Sequence, residues 1–256
     1  MKKTVVITRP SGPYAGARKL ADKLAQKGFT PLEFPVLACV PEELSQETRS
    51  AIVEILKSPG VWIAFLSPTA VYVFRDLMMR VLENSRSMAD VRIAVQGKGT
   101  AEAVVECFNR KPDFVPSIFI AEEFAKEFAP RVKKGERVLI PQSSEGRDLL
   151  APALQSAGKS AWSFSLYRLE SVAVDPQRIK FLKELPGEVT VVVFMSPSAV
   201  RAAVEHANEI LVGKRMLSVG PITSQAIRKA GLPIWREARE HSEDGVLAAL
   251  IDGEGR

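Results

Sequence analysis

Cysteine and histidine are scarce in this chain, two of each among 256 residues. Cys39 and Cys107 lie far apart, outside any C-x-x-C pair and away from histidine at metal-binding spacing. A disulfide scaffold and a structural zinc site are therefore excluded as expectations. His206 and His241 are equally isolated, so triad or His-based metal chemistry lacks its partners, and no cofactor or metal is expected. Long apolar runs are missing too. The longest, Val61 to Phe74, is broken at Ser67-Pro68 and falls short of the roughly 20 residues that span a bilayer. The opening MKKTVVITRP has only Val5, Val6 and Ile7 ahead of Thr8-Arg9, too few for a secretory signal core. The expectation is a cytoplasmic protein that does not associate with membranes. Finally, the net charge of +5 and pI near 9.2 are not gathered into a basic tract with interleaved aromatics. That argues against nucleic acid as a partner and leaves a solvated surface or an acidic small-molecule ligand.

What the chain does have is a repeat. FLSPTAV, Phe65 to Val71, returns as FMSPSAV, Phe194 to Val200. GKGTA from Gly97 reappears as GPITS from Gly220. VVITRP from Val5, with Gly28 and Phe34 behind it, is matched by VLIPQ from Val138, with Gly158 and Phe164. The chain reads as a degenerate tandem of one α/β unit, long enough for two domains of about 120 residues each. Two such units facing one another would place function in the cleft between them.

Val5 to Thr8 is a short β-branched run of the kind that forms a buried parallel strand. Ala17 to Lys27 follows as a helix on Leu20 and Leu24, closed by Gly28. Pro31 to Val40 is extended. The same cassette recurs from Val138 to Val174, with Leu150 and Leu154 on the helix. The other cassette predicts a helix over Thr48 to Leu56, a strand over Trp62 to Leu66, and a helix from Pro68 to about Leu82. After it come a strand over Arg92 to Val95, a helix over Thr100 to Phe108, a strand stub at Phe114-Val115 and a helix over Ala121 to Phe128. Its second copy predicts elements over Arg178 to Leu185, Val189 to Phe194, Pro197 to Ala207, Met216 to Val219, Gln225 to Ala230, Ile234-Trp235 and Asp244 to Ile251. Strands alternating with helices throughout imply parallel sheets covered on both faces. The joins between cassettes, Phe34 to Val40 and Phe164 to Val172, are themselves extended.

In parallel α/β sheets, ligands bind beyond the carboxyl ends of the strands, where helix N-termini point. Four strand-to-helix turns here share one chemistry. Ser67 and Ser196 stand at N-cap positions before Pro68 and Pro197. Gly97 and Gly220 permit close backbone approach, with Thr100 and Thr223 three residues on. Such ends suit carboxylates or phosphates. Each alone is equally read as plain capping, while four of one kind favour a polyanion. Arg9 and Arg147 follow strands of equivalent cassettes and offer bidentate anion contacts, a surface ion pair being the alternative. Two nucleotide motifs fail. GKGT at Gly97 has Arg92 where a phosphate loop needs its first glycine, and Glu102 where a dinucleotide fingerprint needs its third. Tyr167 stands on the second join, where the first has Leu37. It reads as strand packing or as a weak acid with a reference pKa near 10.

Taken together these motifs resemble the uroporphyrinogen-III synthase family. The resemblance rests on ITRP, the F-x-S-P-x-A-V pair, the G-x-x-T-A turn at Gly97, the VGP-x-T turn at Gly220 and the run from Arg147 to Tyr167, in the family's order over nearly the whole chain. It implies two flavodoxin-like parallel-sheet domains joined by two extended strands, with the ligand cleft between them. One domain would hold residues 1–36 with 172–256 and the other 37–171. It implies a cofactor-free, monomeric lyase of porphyrin and heme biosynthesis. The substrate would be hydroxymethylbilane, received from hydroxymethylbilane synthase in at most transient contact. The reaction would close the chain with loss of water and inversion of the last pyrrole ring through a spiro intermediate. Tyr167 matches the family's tyrosine, proposed to assist departure of the hydroxyl. Arg9, Ser67, Gly97, Thr100, Arg147, Ser196, Gly220 and Thr223 would bind substrate. The competing reading is a two-domain module that closes on an anionic small molecule without chemistry.

Overall fold

The computed structural model describes residues 3–10, 12, 14, 17–81, 90–118 and 121–252. Along the chain run β1 (Thr4–Ile7), α1 (Ala17–Gln26), β2 (Thr30–Glu33), β3 (Leu37–Pro41) and α2 (Gln46–Lys57). Next come β4 (Val61–Phe65), α3 (Pro68–Val81), β5 (Arg92–Val95), α4 (Lys98–Phe108) and α5 (Ala121–Phe128). Then β6 (Arg137–Ser143), α6 (Leu150–Ser156), β7 (Ser160–Ser171), α7 (Pro176–Glu184) and β8 (Thr190–Phe194). The chain finishes with α8 (Pro197–Leu211), β9 (Arg215–Ser218), α9 (Pro221–Lys229), β10 (Ile234–Glu237) and α10 (Glu243–Ile251). Leu82, the predicted end of α3, lies outside the described residues.

Two compact units result, one of residues 1–39 with 169–256 and one of residues 40–168. The first holds a parallel sheet in the order β10-β9-β8-β1-β2. Counted along that unit this is 2-1-3-4-5, the flavodoxin-like order. The second unit pairs β7-β6-β4-β5 in parallel, and a single bridge from Ala94 to Phe114 adds a fifth position. Its order is the same, entered by the chain at the third strand. β3 lies antiparallel against β7: the Val172 N–H donates to the Val36 carbonyl at 3.1 Å and the Glu42 N–H to the Leu166 carbonyl at 2.9 Å. Both boundaries between the units therefore fall inside strands.

Period-two alternation explains the layers. On the first sheet, Val6, Val192 and Phe194 face one way and pack with Leu182, Ala199, Ala203 and Ile227 of α7, α8 and α9. Val5, Ile7, Val191 and Val193 face the other way and meet Leu20 and Leu24 of α1 and Val246 and Leu250 of α10. The second sheet does the same. Trp62, Ala64, Val138 and Ile140 pack on Phe124, Phe128, Leu150 and Leu154 of α5 and α6, while Phe65 on the opposite face meets the rings of Phe74 in α3 and Phe108 in α4. The repeat also fixes how α1 and α6 stop. Gly28 and Gly158 take left-handed φ of 85° and 74°. The next amides, of Phe29 and Lys159, then reach back to the carbonyls of Leu24 and Leu154 at 3.1 and 2.9 Å. A side chain at either glycine would strain that closure.

At the entry ends of β4, β5 and β6, remote from the strand-to-helix turns, Glu136 is a hub. It pairs with Arg92 at 2.5 Å and accepts from the Trp62 indole at 3.2 Å and from the Lys133 N–H at 2.8 Å. The Arg92 guanidinium lies 4.3 Å from the Trp62 ring centroid. Burial pushes the Glu136 pKa upward, but these donors and the Arg92 charge outweigh it and hold the carboxyl below its ordinary value. A depressed folded-state pKa adds stability that is present above the unfolded value and is lost as pH falls through the folded one. Glu136→Gln should therefore cost about 2 kcal/mol at pH 7. In urea unfolding the gap from the parent protein should narrow as pH falls below the ordinary carboxylate range and through the lowered value at which the parent's carboxyl protonates. A gap independent of pH would show that packing, not charge, sets the cost.

Candidate functional site

The switch point of a 2-1-3-4-5 sheet lies between its first and third strands, here β1 beside β8 in one unit and β6 beside β4 in the other. The residues just past those strands are the ones expected to meet a ligand. After β4 and β8 the chain repeats itself in structure as in sequence. Ser67 Oγ accepts the Ala70 N–H at 3.1 Å, and Ser196 Oγ accepts the Ala199 N–H at 3.2 Å. Both are N-caps followed by proline, and both are half-buried.

Their second contacts differ. Ser196 Oγ lies 3.1 Å from Ser198 Oγ. Ser67 Oγ lies 3.0 Å from the phenolic oxygen of Tyr167, on β7. Tyr167 is only 6 % exposed. A slip in register where Ser143 stands opposite Tyr167 marks this end of the β6–β7 ladder, and the Ser144 N–H donates to the Tyr167 carbonyl at 2.8 Å. Leu37, Tyr167's counterpart in the repeat, is buried in the core of the other unit.

Gly97 and Gly220 are the N-caps of α4 and α9, with extended φ of −169° and 169°, which any residue adopts. At Gly220 the requirement is space, since a Cβ there would stand 2.7 Å from Cδ2 of His241. Thr100 and Thr223 sit in the first turns of α4 and α9, but their side chains are 4 % and 3 % exposed. The amides of Gly99, Thr100, Ile222 and Thr223 remain in first turns, where no intrahelical carbonyl is in reach. The backbone, more than the threonine hydroxyls, is therefore what these turns present to an anion.

The two arginines diverge. Arg9, past β1, forms an ion pair with Glu243 in the first turn of α10. Lys23 joins it, 3.5 Å from Glu243 and 3.0 Å from Asp244. These acidic residues sit well at the α10 N-terminus, which Ser242 caps through the Gly245 N–H at 3.0 Å. A ligand carboxylate would have to compete with Glu243 for Arg9. Arg147, in the loop after β6, is exposed, and its carbonyl accepts the Leu149 N–H at 3.0 Å.

Neither thiol is poised as a nucleophile. Burial pushes Cys39 up to about 12. Burial also raises Cys107 despite Arg75 beside it, so neither forms an appreciable thiolate near neutrality. Among the described residues no group of three or more His, Cys, Asp or Glu is placed to hold a metal ion. No helix among them is long and apolar enough to cross a membrane.

Sequence reasoning placed the four turns. It missed the joining of Ser67 to Tyr167 and of Arg9 to Glu243, because pairs that far apart in the chain carry no local signal. The burial of Thr100 and Thr223 did have one. Thr100 shares a face with Ala103 and Val104, and Thr223 with Ile227, the helical spacing of an inward stripe.

A family model for uroporphyrinogen-III synthase HemD matches residues 18–248 of the chain. The uroporphyrinogen-III synthase of Synechococcus elongatus is 29% identical over 259 aligned positions, covering 97% of this chain and 94% of that one. The porphyrin biosynthesis protein HemD of Ruminiclostridium josui is 27% identical over 249 positions, covering 97% of this chain and 48% of that protein. Among solved structures, the uroporphyrinogen-III synthetase of Helicobacter pylori aligns over 100% of both chains with a TM-score of 0.64. At 17% identity that last likeness is one of fold.

Proposed function

The chain belongs to the uroporphyrinogen-III synthase family, and on that premise we propose that it is a lyase that converts hydroxymethylbilane to uroporphyrinogen III. The linear tetrapyrrole loses water from its terminal hydroxymethyl group to give an azafulvene. The substituted carbon of the last ring then attacks and forms a spiro intermediate. Fragmentation and reclosure leave that ring inverted. Without inversion, closure gives the type I isomer, so the protein's task is chiefly to hold the chain in the geometry of spiro attack. Orientation of this kind supplies several kcal/mol without a strong acid or base.

The family match over residues 18–248 carries the reading, and the arrangement of the turns supports it. The substrate bears eight carboxylates. Each unit offers two helix N-termini past the ends of its strands, at Ser67 and Gly97 in one and at Ser196 and Gly220 in the other. Arg147 adds an exposed guanidinium, and Arg9 a second that Glu243 holds in place. Tyr167, on β7 with its hydroxyl 3.0 Å from Ser67 Oγ past β4, is the group we assign to give a proton to the departing hydroxyl.

The test is to supply freshly generated hydroxymethylbilane and separate the products by isomer. The expected result is type III in large excess over the type I product formed without protein. Product that stays type I with folded protein overturns the proposal.

A further inference from the structure

We infer that Ser67 is a positioning residue for Tyr167, closing a one-directional chain of donors that runs from the N-terminus of α3 to the phenol. This rests on the proposed proton donation by Tyr167. The Ala70 N–H donates to Ser67 Oγ at 3.1 Å, which fixes that oxygen as an acceptor on its backbone side. Ser67 keeps one proton of its own, and we assign that proton to the contact with the Tyr167 oxygen at 3.0 Å, where either hydroxyl could donate. With Ser67 donating, the phenolic proton is not spent on Ser67. Every bond in the chain then points the same way, out of the positive end of the helix. Hydrogen bonds aligned in this manner polarise one another, and one that strengthens as the phenol gives up its proton stabilises the transition state over the ground state.

The step balances. The phenolic proton goes to the departing hydroxyl, the C–O bond breaks with its electron pair leaving in water, and the proton shed by the ring nitrogen as the azafulvene forms returns to the phenolate.

The repeat supplies an internal comparison. Ser196 has the same cap, the same following proline and the same half-buried setting, but its second neighbour is Ser198. The position corresponding to Tyr167 is filled by Leu37, buried at 3 % exposure. The cap alone therefore needs no phenol, and the phenol is what distinguishes the turn at Ser67. Two strand-to-helix turns of one sequence pattern would thus do different work. The one at Ser196 holds carboxylate, and the one at Ser67 also sets the proton donor at the reacting end of the substrate.

The experiment is a double-mutant cycle on the full chain with hydroxymethylbilane, with kcat and KM read separately and each variant's melting temperature recorded. Ser67→Ala should lower kcat about tenfold, the worth of one hydrogen bond to a charge-developing group, with little change in KM. Ser67→Thr keeps both hydroxyl and cap and should recover most of that loss. In a Tyr167→Phe background, Ser67→Ala should add nothing, because the group it acts through is gone. Ser196→Ala and Tyr167→Phe should instead multiply. Losses at Ser67 and Tyr167 that multiply overturn the positioning role and leave the donor role of Tyr167 standing. The same holds if Ser67→Ala raises KM at unchanged kcat, or if folded Ser67→Thr fails to recover. A fully active Tyr167→Phe sinks the donor role and this inference with it. A parent protein that makes only type I product overturns the assigned reaction itself.

Discussion

Phe128→Ala should destabilise the unit of residues 40–168 by about 4 kcal/mol, in the middle of the range for emptying a buried phenylalanine site. Phe128 is fully buried and is the ring that three others share. Trp62 meets it edge-on at 5.0 Å, Phe114 stacks at 5.3 Å and Phe124 lies tilted at 5.3 Å. Removing it leaves a void lined by rings held on a strand, on a bridge residue and on its own helix, none of which can slide to fill the space without moving backbone. Ring pairs add about 0.5–1.5 kcal/mol each beyond their buried area, which argues against a value at the low end. For a unit of this size the melting temperature should fall by about 15 °C. Trp62 offers the readout, since its fluorescence reports the ring it has lost. Phe128→Leu refills most of the volume and should cost about 1.5 kcal/mol or less. If Phe128→Ala melts within about 3 °C of the parent, the cluster is loosely packed and its rings contribute area alone.

The cluster was half legible from sequence. The strand holding Trp62 and the helix over Ala121 to Phe128 were read at nearly their observed bounds, because a short apolar run and a 3.6-residue period are local signals. The bridge of Phe114 to Ala94 was legible only as a strand stub. Where helices begin was legible at the two Ser-Pro caps, but not at α2 and α7, which Ser45 and Asp175 start at Gln46 and Pro176, ahead of the expected Thr48 and Arg178. Ser67-Pro68 and Ser196-Pro197 gave α3 and α8 their first residues. At α9 the periodic signal starts at Gln225, yet the helix begins at Pro221, because proline's fixed φ suits the first helical position whatever the apolar pattern does. At α8 the predicted end, Ala207, is a break in the backbone with φ −152°, and helix resumes to Leu211. Which strand lies beside which is another matter. β1, β4, β6 and β8 all carry similar buried apolar runs. Period cannot choose among such partners, and the order β10-β9-β8-β1-β2 is settled by tertiary packing.

The candidate site divides along the same line. Its backbone parts, the glycines and caps at the helix ends, are local and were read from four short motifs. Its side-chain parts depend on contacts between distant residues. Arg9 was read either as a bidentate anion contact or as a surface ion pair. The fold gives it Glu243, a carboxylate drawn to the α10 N-terminus for reasons unrelated to Arg9. Tyr167 was singled out by position and by resemblance, but only the fold gives its hydroxyl a partner.

Tyr167→Phe should leave the fold intact and lower turnover to type III product about 100-fold, or about 3 kcal/mol in the barrier. General acid groups contribute typically about 10²–10⁴-fold. The low end applies because the hydroxymethyl group of an electron-rich pyrrole departs readily without help. The substitution removes one oxygen from a side chain that is 6 % exposed, and Phe fills the rest of the space. Ser67 Oγ then keeps the Ala70 N–H but its own O–H loses the phenolic acceptor; Ser67 is only half-buried, so the stability cost should stay near about 1 kcal/mol. A packing role predicts the reverse, near-normal turnover with an altered melting temperature. The pattern of products separates a further possibility. If Tyr167 only helps water leave, the variant is slow but still yields type III, because inversion is governed by how the chain is held. If Tyr167 also orients the azafulvene for spiro attack, the fraction of type III falls together with the rate. The two measurements to make side by side are turnover with isomer ratio, and thermal unfolding of the same preparation. Full turnover with an unchanged isomer ratio would reduce Tyr167 to a packing residue and leave orientation by the helix ends as the whole of the catalysis.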